Sequence, residues 1–391
     1  MRNARALLAL LPLVLGAAAA RSGKAPAPPA PVPPPHLMVE PAEIEATPEF
    51  QWQFELHVEN PSDRGIFCDS VTAQFEDQDP GETRAPRTQD FPLAAARLAF
   101  AEISSDEGAA TSQTIPAMFE SGTVRFRAWF HRGDGTKSMV ETPVVKILPG
   151  ELTKSHPSEF LTADGKKVET VTFPARPEGP AAALLLVHDH GTHARRLLPF
   201  AQLLALRGYT TMLVSLPGYG QSEGPADFGG PHTVAALSAA VDRLKRTAGV
   251  DSQRIAVWGI GRGATAAMNL AARRNDLKVV IGQSGLYDLR ADGAGNDTRA
   301  AILAEAGKDS AAWRARSPLL AAVNIHAPVV LLHGGADREA PLQQAQEFAA
   351  ALTASGDSVS THWLAPQGHA ISRSDMMRSA VPHLDVKLRR P

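Results

Sequence analysis

Three segments in the C-terminal half of the chain carry residue types suited to acid–base chemistry. Glycine recurs at every second position in Gly259-Ile-Gly261-Arg-Gly263, between a buried-looking apolar run and an Ala-rich stretch. Further on, Asp337 and His369 each follow an apolar run. An imidazole can take up and return a proton near neutral pH, and a neighbouring carboxylate holds the ring in the required orientation. The order is therefore turn, acid and base, but the turn carries glycine in place of a nucleophile.

The elements that must position these residues alternate along the chain after Gly150. Apolar runs of four to six residues are separated by helical patterns, which is typical of a mostly parallel sheet covered on both faces. In such sheets, chemistry takes place in loops at the carboxyl ends of the strands. The predicted strands are 182–187, 211–215, 254–258, 278–281, 328–332 and 359–363, and the predicted helices are 195–207, 233–247, 263–274, 342–355 and one at the C-terminus.

Taken together, these motifs resemble the α/β-hydrolase superfamily, and within it the prolyl-oligopeptidase and dienelactone-hydrolase-like branch. The resemblance covers residues 157–391. The glycine-rich turn matches the nucleophile elbow G-x-S-x-G, and the acid and base follow it in the order of that fold. The other matching segments are His188-Asp-His190-Gly191, Pro217-Gly-Tyr-Gly220-Gln-Ser222-Glu-Gly224, the stretch from His333-Gly334 to Pro341, and Gly368-His369.

The resemblance implies a role for each matching residue. His369 would be the general base, and Asp337 would orient its ring. The oxyanion hole would use the backbone N–H of Arg262 together with that of His190 or Gly191. The side chain of Arg262 would border the pocket, either attracting a carboxylate ligand or lying in solvent.

Gly261 occupies the nucleophile position of this arrangement and leaves it vacant. Without a hydroxyl no acyl-enzyme forms there. Two substitutes are open: Ser284, at the end of the neighbouring predicted strand, or a water molecule activated by His369 in the space left by the missing side chain. The Ser284 hydroxyl is more simply explained as a partner for a backbone group at the strand end.

The histidine-rich segment His188-Asp-His190-Gly-Thr-His193 also has the composition of a metal site. No partner ligand elsewhere is marked out by its spacing, and the position of the segment at the oxyanion loop explains it better. We therefore expect neither a metal nor another cofactor.

The N-terminus has the pattern of an export signal. Residues 1–20 combine a basic start, a short apolar core and an Ala-rich cleavage region, and the apolar run is too short to span a bilayer. Residues 21–36 are a Pro/Ala-rich linker. We expect a periplasmic or extracellular protein with no membrane span after cleavage. Its single cysteine, Cys68, has no partner for an internal disulfide.

Residues 37–150 alternate apolar and polar positions in the runs 50–58, 70–75, 123–130 and 140–147, which are separated by turn residues. This pattern predicts an immunoglobulin-like β-sandwich that acts as a structural or recognition module.

Composition narrows the function further. A net charge of −2 over 391 residues gives no reason to expect a nucleic-acid partner.

The leading interpretation is an exported, degenerate hydrolase that binds a small ester, a peptide-like molecule, or a protein or glycan partner. The alternatives are an active carboxylesterase or serine-type peptidase that uses Ser284 or water with His369 and Asp337, and a cell-envelope scaffold that acts through the sandwich.

Overall fold

The structure is a computed structural model and describes residues 32–47, 51–78, 88–117, 120–175 and 179–388. The predicted signal peptide and most of the predicted linker lie outside these residues. Within the described ranges, no helix combines the length and the apolar character needed to cross a bilayer.

The N-terminal part consists of two β-sheets. The smaller sheet has the strand order β1-β3-β7, and the larger has the order β2-β10-β8-β4-β5, with β6 paired to β4 and β9 paired to β8. The strands are β1 His36–Glu40, β2 Glu43–Glu45, β3 Gln51–Asn60, β4 Ile66–Asp77, β5 Thr88–Pro92, β6 Glu102–Ile103, β7 Glu107–Pro116, β8 Gly122–Arg132, β9 Lys137–Glu141 and β10 Val145–Leu148; α1 is Ala94–Ala99 and α2 is Glu151–Ser155.

Alternating side chains from the two sheets form a shared core. Trp52 on β3 stacks on Phe75 of β4 with ring centroids 5.0 Å apart, and Phe54 packs on Phe126 of β8 at 4.7 Å. The period-2 pattern of the sequence places these rings on the inner faces, as in a sandwich. The predicted all-β region before the α/β region is confirmed.

The C-terminal part is an eight-stranded sheet with the order β11-β12-β14-β13-β15-β16-β17-β18. The six strands β14, β13, β15, β16, β17 and β18 are parallel to one another, while β11 pairs antiparallel with β12 and β12 pairs antiparallel with β14. The strands are β11 Glu159–Ala163, β12 Lys166–Phe173, β13 Ala181–Val187, β14 Thr210–Val214, β15 Val250–Ile260, β16 Val279–Gln283, β17 Val329–Gly334 and β18 Val359–Leu364. The helices are α3 Leu198–Leu206, α4 Pro231–Arg246, α5 Arg262–Ala271, α6 Asn296–Ala306, α7 Ser310–Ala315, α8 Leu342–Ala354 and α9 Arg373–Lys387.

Helices cover both faces of this sheet. Apolar residues of α3 and α9 belong to the core on one face, and those of α4, α5 and α8 belong to the core on the other. All seven residues of β13 are buried, which explains its continuous apolar run. The predicted α/β-hydrolase fold class is confirmed.

The parallel register brings the candidate residues to one edge of the sheet. Asp189 follows β13, Gly261 follows β15 and Ser284 follows β16, while Asp337 and His369 lie in the loops after β17 and β18. Because parallel strands end at the same edge, loops that are distant in sequence meet there.

Candidate active site

Gly261 is the single residue between β15 and α5. Its φ of +53° and ψ of −115° lie in a region that strains residues with a side chain. Its N–H donates to the carbonyl of Gln283 on β16 at 2.7 Å, which fixes the turn against the neighbouring strand. A Cβ at Gly263 would overlap the carbonyl oxygen of Val187, so this glycine permits the close approach of α5 to β13. The strand, the tight turn and the helix thus have the arrangement predicted for a nucleophile elbow.

The position left empty by the missing side chain is filled by another residue. A Cβ built on Gly261 would overlap the carboxylate of Asp189, with Oδ1 and Cγ as its nearest neighbours. The open space that we expected at Gly261, and the water molecule that could occupy it, are therefore replaced by this carboxylate. Asp189 reaches the site because it lies two residues after the end of β13, the strand adjacent to β15.

The two N–H groups predicted to form an oxyanion hole converge on Asp189. Its Oδ1 accepts hydrogen bonds from the backbone N–H of Arg262 at 2.8 Å and from that of His190 at 2.6 Å. Of the two donors considered in the oxyanion loop, His190 makes this contact, while Gly191 is the next loop residue, with φ of +72°. Two converging N–H groups suit a negative oxygen. The two predicted oxyanion donors thus converge on one point, and the protein's own carboxylate lies there.

His369 lies between two carboxylates. Its Nδ1 is 2.9 Å from Oδ2 of Asp337, and its Nε2 is 2.9 Å from Oδ2 of Asp189. Asp337 is itself held by the backbone N–H groups of Glu339 and Ala340, both of which donate to its Oδ1. The predicted acid and base are thus in contact, and the ring nitrogen that would face a serine instead faces Asp189.

These contacts set the protonation states of the site. Burial alone would lower the pKa of His369, but the hydrogen bonds to Asp189 and Asp337 raise it to about 10. Burial would raise the pKa of Asp189, yet His369 and the backbone N–H groups of Arg262 and His190 hold it below its usual range. Near neutral pH the site is therefore an imidazolium between two carboxylates, and the ring is not available as a base.

Ser284 lies beside the site, but its hydroxyl already has a partner. The residue is fully buried with φ of +52°, and Oγ donates to the backbone carbonyl of His369 at 2.8 Å. This contact ties the end of β16 to the loop that carries the base.

The Arg262 side chain adopts neither of the two expected arrangements. It is 4% exposed, and its guanidinium donates to Glu305 on α6 and to the hydroxyl of Tyr219. The rings of Tyr219 and Phe228 each lie 4.7 Å from the guanidinium carbon. The carboxylate partner of Arg262 is therefore internal to the protein.

His188, at the start of the predicted oxyanion loop, bonds to the backbone through both of its ring nitrogens. His188 donates from Nδ1 to the carbonyl of Asp189 at 2.7 Å, and its Nε2 accepts from the N–H of Leu216 at 2.9 Å. Burial lowers the pKa of His188 to about 3, so the ring is neutral. In the part of the chain that the structure describes, no group of three or more His, Cys, Asp or Glu residues is arranged to hold a metal ion.

A cavity of about 640 Å³ opens onto the Asp189–His369 pair. Phe228, Leu286, Ala301 and Ala304 contribute apolar wall, and residues of α6 form one side. Asp189 itself lines the cavity with its side chain 25% exposed. The volume is that of a small-molecule site.

Asp189 was not predicted as a site residue. The segment His188-Asp189-His190 was interpreted only as an oxyanion loop or a metal site. Two sequence features together could have identified Asp189: a turn at Gly261 without a side chain, and an acid in the loop after the adjacent strand. A carboxylate in that loop needs space, and Gly261 provides it.

Comparison with known proteins supports the fold and the family. Residues 201–384 match the family model of the prolyl oligopeptidase family. The "Uncharacterized peptidase YuxL" of Bacillus subtilis (strain 168) is 26% identical over 253 residues, which cover 60% of this chain and 38% of that protein. The "Thiohydrolase aneE" of Aspergillus aculeatus (strain ATCC 16872 / CBS 172.66 / WB 5094) is 27% identical over 126 residues, covering 32% of this chain and 39% of that protein. The chain thus spans less than two fifths of the length of either curated relative.

Solved structures share the fold at low sequence identity. A puromycin hydrolase aligns with a TM-score of 0.54 and 17% identity, over 68% of this chain and 45% of the other. A 2,6-dihydroxy-pseudo-oxynicotine hydrolase aligns with a TM-score of 0.51 and 20% identity, over 60% and 68%. Residues 201–384 therefore match the model of the prolyl oligopeptidase family, and the C-terminal part of the chain has an α/β-hydrolase fold.

Proposed function

We propose that this protein has lost the serine-type acyl transfer of its family and uses the cleft to bind a small ligand. The observation that carries the proposal is the position of Asp189, whose carboxylate fills both the place of the missing serine side chain and the oxyanion hole.

Acyl transfer needs a nucleophile, a free base and an empty oxyanion hole. Gly261 supplies no nucleophile, His369 is protonated near neutral pH, and Asp189 holds both oxyanion donors. Removal of the serine alone costs about a millionfold in turnover in subtilisin, another triad enzyme. Three obstacles at one site argue against ester or peptide hydrolysis by this chain.

The two substitutes for serine gain little support from the geometry. Ser284 donates its hydroxyl to a backbone carbonyl, and the volume that a catalytic water would need beside Gly261 contains Asp189. The cleft is nevertheless large enough for a ligand, and its apolar walls are those of a binding site.

We also propose that the protein is exported and acts in the periplasm or outside the cell. The support is the signal-like pattern of residues 1–20 and the Pro/Ala-rich stretch that follows. Cell fractionation with N-terminal sequencing tests this proposal: cleavage near Ala20 is expected, and an intact N-terminus in the cytoplasmic fraction would contradict it.

The proposed loss of acyl transfer is tested by rebuilding the site. We expect hydrolysis of p-nitrophenyl acetate and labelling by a fluorophosphonate probe to be absent in the natural protein. Gly261→Ser alone should remain inactive, because the new side chain meets Asp189 and the oxyanion hole stays filled. The double variant Gly261→Ser with Asp189→Gly should gain both activities.

The matched control is the same double variant with His369→Ala, which should lose hydrolysis. Turnover by the natural protein that disappears in His369→Ala would overturn the proposal and favour an active hydrolase with a displaced nucleophile.

A further inference from the structure

The two oxygens of the Asp189 carboxylate have different surroundings. Oδ1 is held by the two oxyanion donors, while Oδ2 has His369 as its hydrogen-bond partner. The side chain is 25% exposed and lines the 640 Å³ cavity. One oxygen is therefore anchored, and the carboxylate presents an accessible edge to whatever enters the cavity.

We propose that Asp189 acts as a nucleophile toward saturated carbon and opens apolar epoxides bound in this cavity. This proposal goes beyond the loss of acyl transfer. It rests on the proposed function in one respect, since both require the Asp189 carboxylate to lie in the oxyanion hole. A carboxylate is an established covalent nucleophile in enzymes. Here the attacking atom would be Oδ2, with Oδ1 fixed by the N–H groups of Arg262 and His190.

The surroundings of Asp189 select the type of electrophile. Attack on an acyl carbon creates an oxyanion on the substrate, and the hole that would stabilise it is filled. Attack on a saturated carbon needs no such hole. Opening an epoxide does require a proton on the departing oxygen, and the His369 imidazolium is 2.9 Å from the attacking atom. Phe228, Leu286 and Ala301 provide apolar wall for the rest of the molecule.

The first step forms a bond from Oδ2 to an epoxide carbon and breaks the carbon–oxygen bond of the ring. His369 gives its Nε2 proton to the departing oxygen. The products are a hydroxyalkyl ester of Asp189 and a neutral imidazole. Loss of the Asp189 charge removes one cause of the raised pKa of His369, so the ring becomes available as a base.

The second step hydrolyses this ester. His369 takes a proton from a water molecule that adds to Cγ of Asp189, and negative charge forms on Oδ1, between the N–H groups of Arg262 and His190. Collapse expels the alcohol with Oδ2 attached, and His369 protonates it. The proton left on the new carboxyl group then returns to His369. The net reaction is epoxide plus water giving a vicinal diol, and Asp189 retains one oxygen from water.

Isotope transfer tests the proposal directly. Excess purified protein is mixed with styrene oxide in water enriched in ¹⁸O for a single turnover, and the diol and the peptide containing Asp189 are analysed by mass spectrometry. We expect ¹⁸O in Asp189 and none in the diol. Asp189→Asn should form no diol above the uncatalysed rate, while the exposed control Glu347→Gln should behave as the natural protein.

A second variant separates the two steps. His369→Gln lacks both the acid and the base, so it should not open styrene oxide. With 1-bromo-2-phenylethane, whose bromide leaves without a proton, this variant should accumulate an ester on Asp189. The natural protein should form that ester and then hydrolyse it.

Two results would overturn the proposal: ¹⁸O in the diol but not in Asp189, or equal diol formation by the natural protein and Asp189→Asn. Neither result bears on the proposed loss of acyl transfer. That proposal is tested separately, by measuring His369-dependent ester hydrolysis in the natural protein.

Discussion

Gly261 and Asp189 occupy adjoining positions in one small volume, so neither residue can be changed independently of the other. The glycine leaves room for the carboxylate, and the carboxylate satisfies two backbone N–H groups that would otherwise face the cavity. Burying an unpaired carboxylate in this position would lower the free energy of unfolding. The hydrogen bonds of Asp189 and the imidazolium of His369 offset this loss.

Gly261→Ala is expected to destabilise the protein by about 2 to 4 kcal/mol, because φ is +53° and the new Cβ overlaps Asp189. Asp189→Gly removes the overlap but not the backbone strain. In a double-mutant cycle measured by chemical denaturation, the combined loss should therefore be smaller than the sum of the single losses. Additive losses would show that the two residues do not share this volume.

The raised pKa of His369 predicts a pH dependence of stability. The folded protein holds a proton up to about pH 10, whereas an unfolded histidine releases it near 6.5. The stabilisation is therefore complete below about pH 6.5 and is lost as the pH rises through 10. Because the ring is 26% exposed, we expect a change of about 3 kcal/mol rather than the full value of the shift.

The measurement is the free energy of unfolding of the natural protein and of Asp189→Asn between pH 6 and 10.5. The variant lacks one of the two carboxylates, so the difference between the two curves should shrink as the pH rises. Parallel curves would contradict the assignment of an imidazolium between Asp189 and Asp337.

At the scale of elements, one ion pair joins the elbow helix to the helix over the cavity. Arg262 begins α5, and its guanidinium pairs with Glu305 near the end of α6, with side-chain exposures of 2% and 9%. Glu305 also accepts from the hydroxyl of Tyr219 and from the N–H of Phe228 at 3.2 Å. The Glu305 carboxylate thus holds α6 against the turn whose N–H, that of Arg262, donates to Asp189.

Glu305→Ala is expected to cost about 3 to 5 kcal/mol, since it leaves the Arg262 charge buried without its carboxylate. Hydrogen exchange should become faster in residues 296–306 before other helices are affected. Glu305→Gln keeps hydrogen-bonding atoms at the site and should show a smaller effect. Unchanged exchange in α6 of the alanine variant would mean that apolar packing alone holds this helix.

At the scale of the whole molecule, the sandwich and the sheet domain meet next to the oxyanion loop. Arg195 lies in the 3-10 turn 194–197 that follows this loop, and its Nε donates to Glu120 at 2.6 Å. The side chains are 7% and 2% exposed. Arg196 pairs with Asp77 of β4 in the same region. The segment that carries Asp189 is thus anchored to the N-terminal sheets.

Glu120→Ala should lower the free energy of unfolding by about 3 to 5 kcal/mol, because the pair is buried. Thermal unfolding should also separate into two transitions, since a contact between the two parts is lost. The exposed pair of Arg243 and Glu159 is the matched control, and Glu159→Gln should hardly change stability. A single transition in Glu120→Ala at the natural temperature would contradict a coupling role.

Much of this arrangement follows from local patterns in the sequence. The buried runs of the sheet and the turn at Gly261 each depend on residues close together in the chain, and the structure has them at those places. The two sheets before residue 150 were predicted from alternation, although the run 140–147 is divided between β9 and β10 and the strand β7 was not predicted. Alternation is weakest where strands are exposed, as in much of β7.

By itself the sequence determined that position 261 has no nucleophile and that an acid and a histidine follow it in hydrolase order, because these facts depend on residue identity and order alone. Only the tertiary structure decided what fills the site. Asp189 and Gly261 are 72 residues apart and become neighbours because β13 and β15 pair in parallel. The pKa of His369, the internal partner of Arg262 and the hydrogen bond from the Arg262 N–H to Asp189 all depend on distances between loops, which no local pattern encodes.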